Sequence, residues 1–76
     1  MTDYRQQFFS EIRRFISTHP DFYEAHPNQI VQALNGVLAL SISAYGPEKA
    51  PKVLAIVQKE LPDIVNHFLK IGGTLN

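Results

Sequence analysis

Residues 27–47, PNQIVQALNGVLALSISAYGP, decide the fold. The stretch carries no charged side chain, opens on Pro27 and closes on Gly46-Pro47. Proline suits the first position of a helix, because its φ is already helical and its missing N–H would have had no partner there. Glycine takes up the left-handed conformation that ends a helix, and a proline behind it cannot continue one. The stretch therefore predicts a helix over 27–45 with Gly46 as its stop. At ~100° per residue its apolar side chains, among them Ile30, Leu34, Val37, Leu38 and Ile42, cover an arc of roughly 200°. Gln32, Asn35, Gly36, Ala39 and Ser43, small or neutral, hold the remaining face. A helix apolar over so much of its circumference calls for more than one neighbour. It is expected at the centre of the molecule, with Leu38 in the core. Asn28, Gln29, Gln32 and Asn35 interrupt its apolarity, and Val37–Tyr45 falls far short of the ~20 residues of a membrane span. No membrane span is expected.

Upstream, a first helix is expected from Asp3 to Ser17, with Thr2 or Asp3 as its N-cap. Tyr4, Phe8, Phe9, Ile12, Phe15 and Ile16 fall within roughly 140° of its wheel, and polar residues fill the opposite side. His19-Pro20 and His26-Pro27 punctuate the connection, since a residue before proline is pushed out of the helical region. Asp21 to Glu24 are expected to form a single helical turn opened by Pro20. Downstream, Gly46 to Pro51 lead into a third helix. Val53, Leu54, Val57 and Leu61 share one ~120° stripe with Ile64, Val65, Phe68 and Ile71, on both sides of Pro62. That shared phase predicts a kink or tight break at Pro62 rather than a wide turn. Gly72-Gly73 end the helix, leaving a short tail. The fold class expected is all-α: a compact up-and-down bundle of three main helices, broken by prolines into four or five segments, over a single domain, 1–76.

Seventy-six residues make one domain, with 45% hydrophobic residues to form its core. Seven Lys and Arg balance seven Asp and Glu. A neutral chain lacks the clustered positive charge that phosphate backbones require, so no nucleic acid is expected as partner. The predicted central helix holds no Lys or Arg, and Arg13-Arg14 reads as a solvated face rather than a phosphate contact. The same neutrality leaves no electrostatic barrier to self-association. Without cysteine there is no disulfide and no thiolate site, which points to a reducing compartment. The polar start, Met1 to Arg5, has no apolar signal-peptide core. Cytoplasmic localisation is expected.

The groups that could carry chemistry do not assemble into a motif. His19, His26, Asp21 and Glu24 share one loop, but without the ligand spacing of a metal site. Asp63 and His67, four residues apart, suit a weak pair on a helix surface. As an acid–base dyad they would need a cleft and a nucleophile. No nucleophile elbow, phosphate-cradling loop or zinc-protease helix occurs. The chain is read as non-enzymatic, with no catalytic, cofactor-binding or metal-ligating residue and no cofactor.

The surface left over carries the functional signal. Phe9 and Ile16 sit on one margin of the first stripe, two turns apart and bordered by Arg13. Ile56 and Leu69 fall outside the third stripe. Grouped, Phe9, Ile16, Arg13, Ile56 and Leu69 would make a docking patch or a dimer seam. The expected partner is a protein, a second copy of the chain included, and the expected function is that of an interaction or accessory protein. The alternatives are a carrier whose wide apolar helix encloses a lipid or other hydrophobic ligand and, behind it, a DNA-binding regulator.

A cysteine-free chain of this length, with its helices broken at His19-Pro20, His26-Pro27, Gly46-Pro47 and Pro62, resembles the small bacterial secretion-activating proteins called PAS factors. The likeness spans the chain and lies in size and helix layout, so no functional residue is carried over. It implies a bacterial cytoplasmic protein that promotes the export of other proteins through contacts.

Overall fold

The structure is a computed structural model and describes residues 2–75. Three helices follow one another: α1 (Arg5–Ser17), α2 (Pro27–Ser43) and α3 (Ala50–Ile71). No strand occurs among the described residues. The chain is all-α, as its periodicity predicts.

Helix α1 starts two residues later than expected, with Tyr4 immediately before it. Asp3 still caps it from one step further out: its Oδ1 accepts the backbone N–H of Arg5 at 3.0 Å. The Arg5 guanidinium closes back on the same carboxylate, with Nη2 to Oδ2 at 2.7 Å. At the other end Thr18 donates both its hydroxyl, at 2.7 Å, and its backbone N–H, at 3.0 Å, to the Arg14 carbonyl.

The His-Pro pairs are more than boundaries. His19 Nδ1 accepts the N–H of Asp21 at 3.1 Å, and His26 Nδ1 accepts the N–H of Asn28 at 3.0 Å. At α2 the device is reciprocal, because Gln29 Oε1 accepts the N–H of His26 at 2.9 Å. This is a capping box with histidine where serine or threonine usually stands. Between the pairs, the N–H of Ala25 reaches the Asp21 carbonyl at 2.9 Å and makes the expected single turn.

Helix α2 ends at Ser43, two residues before the expected Tyr45. Tyr45 and Gly46 donate to the carbonyls three residues back, at 3.1 and 3.0 Å, so the chain tightens before Gly46 turns it at φ 91°. Helix α3 then runs unbroken through Pro62, which excludes the tight break. One proline removes one backbone donor, and the apolar phase on both sides stays intact. Gly72, at φ 66°, ends α3 in the left-handed conformation.

The expectation of a compact bundle is corrected. The radius of gyration is 14.1 Å, against about 11 Å for a closely packed chain of this length. Ile42 is the one buried apolar side chain among the described residues, at 8% exposure. Leu38, expected in the core, is 38% exposed. The reason lies in how the helices meet. The backbones of α2 and α3 approach within 8 Å, whereas α1 comes that near to neither. Helix α3 packs against α2 and α1 stands across a gap, so α2 is not the enclosed central helix that its apolar arc predicts. No helix among the described residues is long and apolar enough to cross a membrane.

Candidate interaction surface

Two open apolar grooves occupy the gap that α1 leaves. The first, about 520 Å³, is walled by Phe9, Ile12 and Ile16 of α1, Leu34 of α2, and Phe68 and Ile71 of α3. The second, about 420 Å³, runs between Ile12, Phe15 and Ile16 of α1 and Ile30, Ala33 and Val37 of α2, with Phe22 and Ala25 of the connection beside them. Ile12, Ile16 and Leu34 line both, so the two grooves form one continuous apolar surface.

Side chains, not backbone packing, hold α1 in place. Phe9 stacks on Phe68 with ring centres 6.1 Å apart and planes 12° from parallel. Arg13 Nε donates to the Leu75 carbonyl at 3.0 Å and ties the C-terminal tail to α1. The tail passes so close to the Phe68 ring that a Cβ on Gly73 would lie 2.9 Å from it, which leaves room only for glycine unless that ring moves. Phe15 meets His19 edge-on at 6.2 Å beside the second groove.

Of the residues singled out from sequence, the structure brings Phe9, Arg13 and Ile16 together on the first groove. Ile56 and Leu69 are exposed and line neither groove. Ile12, Leu34, Phe68 and Ile71 were expected in the core; they form the groove walls instead. Arg13 contacts the tail rather than standing free, and Arg5 is occupied by Asp3. The paired Arg5 side chain holds the Asp3 carboxyl down at about 2, through its side-chain hydrogen bond first and the backbone bond second.

His19 Nδ1 lies 3.9 Å from an Asp21 carboxylate oxygen. Among the described residues, no three His, Asp or Glu side chains gather in a way that could hold a metal ion. His67 sets its ring edge-on to Phe68 at 5.6 Å, and no ion pair joins it to Asp63 among the described residues. What the surface offers chemically is apolar contact area, with three titratable side chains, Arg13, His19 and Asp21, along its walls. No family model, curated protein or solved structure matches the chain.

Proposed function

We propose that this chain is a non-enzymatic interaction protein that works through protein–protein contacts made by its groove face. The observation that supports this reading is the continuous apolar surface around Ile12, Ile16 and Leu34, left open by the chain's own helices. Monomeric proteins rarely leave contiguous apolar patches of more than a few hundred Å², and larger ones mark interaction sites. The resemblance in size and helix layout to the PAS factors leads us to place those contacts in protein export, in the cytoplasm of a bacterium. A second reading, a carrier of small hydrophobic ligands, draws on the groove volumes, which fall within the ~300–1,000 Å³ usual for ligand sites. It is weaker because such sites enclose most of their ligand, whereas both grooves stand about half open to solvent.

The test is affinity purification of the tagged chain, in parallel with Ile12→Asp, followed by mass spectrometry and organic extraction of the eluates. A protein, the untagged chain included, that is retained by the native chain and lost with Ile12→Asp supports the interaction reading. A lipid or other small apolar molecule recovered without any protein would replace it with the carrier.

A further inference from the structure

The accessible surface is too large for the mass. A chain of 8.6 kDa packed to ordinary density exposes about 4,700 Å². This one exposes 6849 Å². The excess on that scaling is roughly 2,150 Å² per chain, or about 4,300 Å² for two chains. Obligate homodimers bury ~2,000–5,000 Å² in total, through faces that resemble a domain core cut in half. Resting on the protein-contact reading above, we infer that the groove face is one half of such a core, and that a second copy of this chain covers it.

The first reason to choose a second copy over a different partner is that the excess is spread over exposed apolar side chains of all three helices, the groove face among them, as a broad shared core would require. The second is folding. Ordering each residue costs about 1–2 kcal/mol of backbone entropy, and a lone chain in which Ile42 is the one buried apolar side chain among the described residues has little burial to set against it. A chain that completes its core with its own copy needs no other gene product in order to fold. The third is complementarity. In a two-fold pairing the same face meets itself, so ridge must fit groove on one surface. Helix α1 supplies both. Ile12 and Ile16 wall both grooves, and Phe15, on the wall of the second, leaves 70% of its surface exposed to enter a facing groove. The last is charge. The groove walls carry one cation, Arg13, and one anion, Asp21, and the formal net charge of the chain is zero. Two copies can therefore approach without repulsion.

The experiment is sedimentation of the purified full chain over a hundredfold range of concentration, with thermal unfolding measured at each step. A dimer whose folding is coupled to association sediments at twice the chain mass. Its Tm rises by about 5 °C for each tenfold increase in concentration. Phe15→Glu serves as the second variant. In a lone chain so exposed a side chain is nearly neutral to stability, whereas in the dimer the change lowers both Tm and the sedimenting mass. A helical chain that sediments as one copy throughout, with a concentration-independent Tm unaltered by Phe15→Glu, overturns the second copy. If that single copy also captures a different protein by its groove face, the interaction reading survives; if it captures none, both fail. A chain that stays unfolded at every concentration and gains helix only with a different protein likewise overturns the dimer and keeps the interaction reading.

Discussion

His19 and His26 do the same work with the same atom. In each His-Pro pair the proline sets the following φ, and the imidazole Nδ1 takes the backbone N–H two residues on. Both bonds need a bare Nδ1, so each ring acts as an acceptor in the way an asparagine side chain does in a turn. At α2 this satisfies one of the helix's orphan donors, and replacing His26 with Ala is expected to cost about 1 kcal/mol. His26→Asp, which keeps an acceptor at the cap, should recover most of it; urea unfolding measures both. Asp3 gives the pH-dependent counterpart. Its carboxyl titrates at about 2, below the ordinary 3.8, because Arg5 grips it. A folded-state pKa below the unfolded one means that this contribution to stability is fully present above the ordinary value. It is lost as pH falls through the folded pKa. A carboxyl ¹³C titration of Asp3 should therefore show a midpoint near 2, and Arg5→Gln should move it up toward 3.8. An unchanged midpoint in Arg5→Gln would remove Arg5 as the cause.

Helix limits were legible to within two residues, because local chemistry sets them. Pro27, Gly46 and Gly72 mark a start, a turn and a stop that need only neighbouring atoms. The apolar phase shared across Pro62 was legible, but the division of the three helices into four or five segments was overdrawn, since α3 runs as one helix through that proline. The histidine caps were not legible, because the role of an imidazole depends on a ring orientation that no sequence pattern records. What the wheels misjudged is burial. Leu38, Leu40 and Ile42 share one broad apolar arc, yet of the three only Ile42 is buried. Ile42→Ala is accordingly expected to cost about 2–5 kcal/mol, as for a buried aliphatic side chain. Leu40, 73% exposed and outside both grooves, should stay within about 0.5 kcal/mol when changed to Ala. Denaturant unfolding of the two variants side by side checks the ranking, and equal losses would contradict the single covered position.

At the scale of the whole molecule, an apolar stripe reads the same whether its own chain or another chain covers it. That is why the helices could be drawn from the sequence and the grooves between them only in part: Phe9 and Ile16 stood out by lying on the margin of their stripe, whereas Ile12 and Leu34 look like core until the distance from α1 to α2 is known. Charge is legible at this scale, because it is a sum over the chain. One arrangement tests its reading hardest. Lys52, Lys59 and Lys70 of α3 fall within about 20° on the helical wheel, which is the nearest approach to a basic row. Their rises along the axis, about 10 Å and 16 Å, are wide, and Asp63 stands between Lys59 and Lys70 on almost the same line. A row so dilute can neutralise one or two phosphates at most, and each neutralised phosphate contributes about 0.9 to the salt slope. Binding to duplex DNA should therefore be no tighter than ~10⁻⁴ M at physiological salt, and should change by about tenfold or less between 50 and 200 mM. Pairing two neutral chains leaves the sum at zero, so the same result is expected at any protein concentration. Fluorescence anisotropy on a labelled duplex across that salt range measures both quantities. Micromolar binding with a steep slope would mean that these lysines act together as a nucleic-acid contact, and would reverse the order of the functional readings.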